Sequence, residues 1–192
     1  IKELTSYYLR ANFEYQTDSQ PMDYFAQHII LEKYISKFLN PKLEISNYNF
    51  SPLKEQALII KLNNQSHFNN LGLKVNLTGG VYKNFSGETD WIGGIHFKKR
   101  LGKKLSLNFG YSKNSVLTTI ASTTFNLTKQ DFFGEFDYNN KLISFHAAYN
   151  QQFYKDENNI VLFGGWIISQ PLKIQKFNFQ AGYGYNFSDS KN

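Results

Sequence analysis

From Thr5 to Tyr15 every second residue is apolar: Tyr7, Leu9, Ala11, Phe13 and Tyr15 alternate with the mostly polar Ser6, Tyr8, Arg10, Asn12 and Glu14. The same rhythm returns over Leu71 to Tyr82, Leu105 to Ser112, Ile143 to Asn150 and Lys176 to Tyr185. Successive side chains of a strand point to opposite faces, so each run predicts a β-strand with one apolar and one polar face. Two series of connections take turns between the runs. Tight ones fall near Asn40-Pro41, Gly102, Asn139-Asn140 and Pro171, with a looser one at Gln65 to Asn69. Wider polar ones fall near Thr17 to Pro21, Ser51 to Lys54, Phe85 to Glu88, Lys113 to Thr118 and Lys155 to Asn159. These ten connections imply eleven or twelve strands.

Asn139-Asn140 fits a two-residue type I′ loop, because asparagine tolerates positive φ. Such a loop places Asp137 opposite Leu142, Phe136 opposite Ile143 and Glu135 opposite Ser144, with the apolar faces in agreement. Tyr24 to Leu39 reads as strand, although Phe25, Ile29, Lys33, Tyr34 and Phe38 also fit an amphipathic helix; strand is preferred because Asn40-Pro41 then closes a hairpin into Leu43 and Ile45. Ile160 to Ile168 is apolar on both faces, which leaves its orientation open, and the first half of Ser115 to Thr128 reads as loop. Asn-Phe-Ser recurs at Asn49, Asn84 and Asn186, each time where a strand runs out after a tyrosine.

Alternation is shared by soluble sandwiches and membrane barrels, and strand length separates them. Sandwich strands turn every ~8 to 12 residues, whereas a tilted membrane-crossing strand needs roughly 9 to 11 residues plus its turn. Here 192 residues spread over about twelve strands leave about sixteen for each. The expectation is an all-β fold, an antiparallel up-and-down transmembrane β-barrel of about 12 strands in the bacterial outer membrane, with 1–192 forming a single domain. Leu9, Phe13, Leu73, Val75, Leu107, Phe109, Phe145, Phe177 and Phe179 are expected to face lipid. Arg10, Glu14, Lys74, Asn76, Asn108, Glu135, Asp137, His146 and Asn178 are expected to face the lumen, their charges pairing across it. Tyr7, Tyr15, Tyr48, Tyr82, Tyr111, Tyr138, Tyr149, Tyr154, Tyr183 and Tyr185 lie toward the ends of runs and suggest an interfacial girdle.

Composition narrows the picture further. The longest apolar run is nine residues, about half of what a membrane-crossing helix requires, so a helical membrane protein is excluded. Aromatics at 17% exclude a disordered chain. The absence of cysteine removes disulfides, thiolate metal sites and cysteine nucleophiles, and the four histidines show no metal-ligand spacing, so no metal and no cofactor is expected. The net charge is +6, but only Arg10 and Arg100 among the 21 basic residues are arginine, and the lysines are dispersed. The one cluster, Lys98, Lys99, Arg100, Lys103 and Lys104, reads as a solvated turn, and nucleic acid is not an expected partner. Ser144 and His146 share a strand face with Glu135 nearby, an enzyme-like constellation, yet no oxyanion donor accompanies them. A lumenal hydrogen-bond network is the preferred reading, and no catalytic residue is assigned.

The second half carries a resemblance. The succession Leu105 to Ser112, Lys141 to Tyr149, Tyr154 to Asn159 and Phe179 to Phe187 resembles the C-terminal outer-membrane β-barrels of tetratricopeptide-repeat proteins, among them components of exopolysaccharide export and uncharacterised relatives. The resemblance implies a porin-like pore or anchor for transport, with the bilayer, lipopolysaccharide and periplasmic or outer-membrane proteins as partners. The chain departs from that pattern in two respects, since no helical repeat precedes the barrel and Ser188 to Asn192 lacks the terminal aromatic. With Ile1 first and no leader, either a signal peptide has been removed or the chain is a piece of a longer one, and the departures favour the second, with one or more strands beyond it. Two other functions stay open: a water-soluble β-barrel or sandwich that binds a ligand, and an outer-membrane lipid-modifying enzyme. The face assignment yields a direct test. Val75→Arg should cost ~2 to 4 kcal/mol in bilayer folding titrations and Asn76→Arg little, and equal costs would refute the assignment.

Overall fold

The computed structural model describes residues 7–17, 23–51, 55–117, 127–169 and 180–189. Alternation is realised as eleven strands: β1 (Tyr7–Gln16), β2 (Tyr24–Lys33), β3 (Pro41–Phe50), β4 (Glu55–Phe68), β5 (Leu73–Lys83), β6 (Thr89–Leu101), β7 (Leu105–Ser115), β8 (Thr128–Asn139), β9 (Ile143–Tyr154), β10 (Asn159–Ser169) and β11 (Gln180–Asp189). They form one antiparallel up-and-down sheet in which spatial order is chain order, β1 through β11. Among the described residues the only helix is a single 3-10 turn, Asn69–Leu71, and no helix is long and apolar enough to cross a membrane. Phe177, Asn178 and Phe179 lie outside the described residues.

The ambiguous segment from Tyr24 to Leu39 is strand as far as Lys33, and a turn closed by a Ser36–Leu39 bridge follows. Pairing on both edges explains the choice, since Ile29 lies opposite Ala11 on β1 and Ile45 on β3. The expected contrast between tight and wide connections holds only in part. The stretch 34–40 is as long as 17–23, and 51–54 is no longer than 69–72. The β8–β9 hairpin also departs from expectation. Asn140 N donates to Ile143 O, and the Asn140 side-chain oxygen accepts from Leu142 N and Ile143 N, so the chain reverses at Lys141-Leu142, two residues later than expected. Asp137 is consequently brought to His146 rather than to Leu142. Asparagine acts here as the acceptor of an Asx turn, not as a residue at positive φ.

By internal contacts the chain divides into two compact units: Ile1–Ser66 with Asn76–Ile95 and Lys113–Lys129, and His67–Val75 with His96–Ser112 and Gln130–Asn192. The dividing lines fall inside strands β4 to β8 rather than in linkers. In the first unit, register puts Leu9, Leu31, Leu43 and Leu62 on one face with Ile29, Ile45 and Ile60. The other face carries Arg10, Ile30, Glu44 and Lys61, and then the rows His28–Ser46–Ile59 and Ala26–Tyr48–Ala57. The buried apolar cluster lies on this second face: Phe50, Ala57, Ile59, Tyr82 and Ile92, flanked by Tyr24, Tyr48 and Leu117. Tyr82 is 0% exposed and Tyr48 packs its ring against Tyr24 and Phe50. The girdle expectation is therefore corrected for these two tyrosines, whose rings belong to or pack against the buried cluster of the second face. Tyr154 is half-buried on the His146 side of β9, which corrects it too.

In the second unit the orientation of β10 becomes clear. Trp166 lies opposite His146 and stacks on its ring with centroids 5.3 Å apart, so Ile168, Leu162 and Ile160 share that side. Val161, Phe163 and Ile167 turn to the side of Phe145 and Tyr149.

Adjacent glycines of β5 give a test of the close packing between strands. A Cβ on Gly80 would collide with the Ile60 carbonyl oxygen, whereas one on Gly79 would meet nothing within 4 Å. Gly80→Ala should lower unfolding free energy by ~1 to 3 kcal/mol, and Gly79→Ala should leave it unchanged or raise it by up to ~1 kcal/mol. Urea titration of the refolded protein reads both, and equal effects would contradict the packing.

Candidate functional site: the polar face

The face opposite the apolar side chains carries nearly all the polar chemistry. In the first unit Glu14 accepts a hydrogen bond from the Tyr24 hydroxyl at 2.8 Å and lies 3.7 Å from His28 Nε2. The other ring nitrogen of His28 is 2.8 Å from the Ser46 hydroxyl. Thr78 donates to the Asn63 side-chain oxygen at 2.6 Å. Near the end of β7, Lys113 Nζ reaches Asp90 Oδ1 at 2.7 Å and covers the Trp91 ring at 4.6 Å from its centroid. A buried charge is tolerated when an opposite charge and a polarisable ring share the loss of water.

In the second unit Asn108 joins two groups, accepting contact from His96 and donating to Glu135 Oε2 at 2.6 Å. One strand further, Asp137 Oδ1 and His146 Nδ1 are 2.8 Å apart, and Trp166 stacks on the imidazole. Trp166 in turn covers Gly182, which lies opposite it on β11. Next along the strands, the row Ala148, Gly164 and Gly184 has almost no side-chain volume. A cavity of about 570 Å³ opens there, with Glu135, Asn150 and Asn186 in its wall. Carboxylate and amide groups around such a space can bind water or the hydroxyls of a polar ligand.

The expected lumen residues thus meet different fates. Glu14, Asn108, Glu135, Asp137 and His146 enter short hydrogen-bonded groups. Arg10 and Lys74 have no ion-pair partner among the described residues, a correction to the expected cross-pairing. The Asn76 side-chain oxygen is buried without a hydrogen-bond partner. The enzyme-like constellation is not assembled as expected, because Glu135 is held by Asn108 on β7 and the partner of His146 is Asp137. The two-residue displacement of the hairpin is the cause. Among the described residues no group of three or more His, Cys, Asp or Glu is placed to hold a metal ion.

Two members of the face escape sequence reasoning. His28 lies in the segment that also fits a helix, and Trp166 in the run that is apolar on both faces. The opposite face is mostly apolar, with uncharged polar side chains such as Gln27, Asn47, Asn49 and Gln151. On it Phe97 stacks on Phe109, Phe132 is tilted against Tyr111 and edge-on to Phe153, and Phe136 is edge-on to Phe145. Among the described residues charge occurs there only near strand ends, at Lys33, Lys83, Lys99, Lys113 and Asp189. Comparison with protein-family models, with curated proteins and with solved structures gives no match.

The His146–Asp137 contact can be measured by a double-mutant cycle with His146→Ala and Asp137→Ala. Asp137 is 44% exposed, so a coupling of about 0.5 to 1 kcal/mol is expected. Additive losses would show that the pair contributes nothing.

Proposed function

We propose that the chain is an outer-membrane β-barrel that serves as a pore or anchor, with the export of polysaccharide as the transport role its second half resembles. One observation carries this reading: outward positions are free of charge except near strand ends and mostly apolar, the Gln27–Asn47 pair being a mid-strand exception, while charged groups collect on the other face. On β5 that outward stretch, Leu73 to Val81, is nine residues, roughly 27 Å of strand and a little over 20 Å at a barrel tilt. In water such a surface would be an aggregation hazard. In lipid it is the required exterior, and the polar face becomes the interior. Trp91 with Lys113 beside it suits the headgroup region, where an indole and a long cationic stem are both amphipathic.

In this reading the sheet closes between β1 and β11, directly or through further strands, because hydrocarbon tolerates no unpaired sheet edge. Side chains fill a barrel of ~8 strands and leave a channel in one of ~16, so a barrel of about twelve has a narrow bore. The side chains this reading turns inward are the buried Phe50–Tyr82–Ile92 cluster in the first unit and the Asp137–His146 and Asn108–Glu135 groups in the second. Asn150, Asn186 and Glu135 around their cavity match the hydroxyl groups of a sugar.

Expression should yield protein that requires detergent or lipid and migrates faster on gels before boiling than after. In planar bilayers its conductance should be small or absent. A chain that stays monodisperse in plain buffer would overturn the membrane reading, and large stable steps would overturn the narrow bore.

A further inference from the structure

One part of the polar face lacks the pairing found elsewhere on it. In the second unit Arg100 N donates to Gly72 O at 2.8 Å. In the first unit a Cβ on Gly93 would stand 3.3 Å from Gly79 Cα, which gives the same β5–β6 register. That register sets Lys98 directly opposite Lys74, with Arg100 two residues further on the same side. The three line one cavity of about 290 Å³ together with Asn69, Gly72 and Leu73. Like charges directly opposite one another destabilise a sheet. Other charges of this face have counter-groups: Asp90 has Lys113, which reaches it from the neighbouring strand, Lys42 has Glu44 and His146 has Asp137. Among the described residues Lys74, Lys98 and Arg100 have none.

The wall of the cavity is fixed by backbone geometry. Gly72 adopts φ of 58°, its N–H donates to Asn69 O at 3.0 Å, and a Cβ there would stand 2.8 Å from Arg100 O. Lys99, the neighbour on the opposite face, holds the same turn by donating to Leu71 O. Lys98 and Arg100 are exposed, as expected of a solvated cluster, but they lie within β6 rather than in the turn and line one cavity with the exposed Lys74. Sequence proximity suggested a cluster of Lys98 to Lys104, whereas strand pairing builds a different one.

We propose that this cavity is an oxyanion site that takes a phosphate group, either free or carried by a small molecule or lipid headgroup. Arg100 offers a planar fork suited to two phosphate oxygens, Lys74 and Lys98 supply compact positive charge, and the Asn69 amide is a neutral donor at the rim. Bound phosphate replaces the missing counter-charge and relieves the Lys74–Lys98 repulsion. Every residue of the site belongs to the second unit, and phosphate binding requires neither a pore nor an anchor.

The test uses the refolded chain in a phosphate-free, non-ionic detergent. Inorganic phosphate and a short-chain phosphatidic acid are titrated by calorimetry at constant ionic strength, with sodium chloride as the reference salt. Saturable one-to-one binding is expected. Tighter binding of phosphatidic acid would assign the site to a lipid headgroup, and binding of inorganic phosphate alone would assign it to a free anion. Arg100→Gln and Lys98→Gln should each weaken binding about tenfold or more, the loss of one hydrogen bond to a charged group. The turn variant Lys103→Gln with Lys104→Gln removes more charge and should change affinity by less than about twofold. Lys74→Gln should weaken binding yet raise the melting temperature measured without phosphate, a gain that a merely unfolded variant cannot give. Absence of saturable binding by both ligands, or equal weakening by the turn variant, would overturn the proposal.

Discussion

The two-residue period of side-chain direction is the constraint on which the rest depends. Each strand pairs with its chain neighbours, so a slip of one residue anywhere would turn an apolar row onto the polar face and a charged row onto the apolar one. Only shifts that preserve parity are tolerated. The β8–β9 hairpin illustrates this, since its turn lies two residues beyond Asn139-Asn140 while Phe136 and Phe145 still meet on one face and Asp137 and His146 on the other. Partners change under such a shift and faces do not.

Given that constraint, the polar face is where the chain has freedom to vary, and it does so by region. The first unit fills one part with large rings, Phe50 and Tyr82 among them, and settles its charges in short contacts such as Glu14 with His28. The second unit sets a tryptophan over Gly182 and then empties the next row with Ala148, Gly164 and Gly184. Lys74, Lys98 and Arg100 gather without an acid, a cost in repulsion that a bound anion offsets. A face built only to be wet would have no need of such unevenness.

Most strands and their antiparallel direction were legible in the sequence, with eleven among the described residues where about twelve were expected, because period-two alternation is a local signal that survives without knowledge of partners. The contents of each face follow from the same signal, as Leu73, Val75, Lys74 and Asn76 illustrate. What depends on register was not legible. Asparagine can turn a chain either by adopting positive φ or by accepting hydrogen bonds through its side chain, and Asn140 uses the second way. The pairing of Glu135 with Asn108 and the convergence of Lys74 with Lys98 follow from cross-strand neighbours, which spacing along the chain does not encode. Ile160 to Ile168 was mute for another reason: with both faces apolar, only the ring of His146 across the ladder says which side Trp166 takes.

The central claim is that one face of this sheet meets lipid and the other meets water. The chain contains no cysteine, so single cysteines report position without background. Cysteines introduced one at a time from Leu73 to Thr78, in protein reconstituted into liposomes, can be challenged with a membrane-impermeant maleimide and with a lipid-soluble one. The account predicts reactivity with a period of two, with Leu73→Cys, Val75→Cys and Leu77→Cys labelled from the lipid and Lys74→Cys, Asn76→Cys and Thr78→Cys from water. Uniform labelling by the impermeant reagent along the whole segment would contradict it.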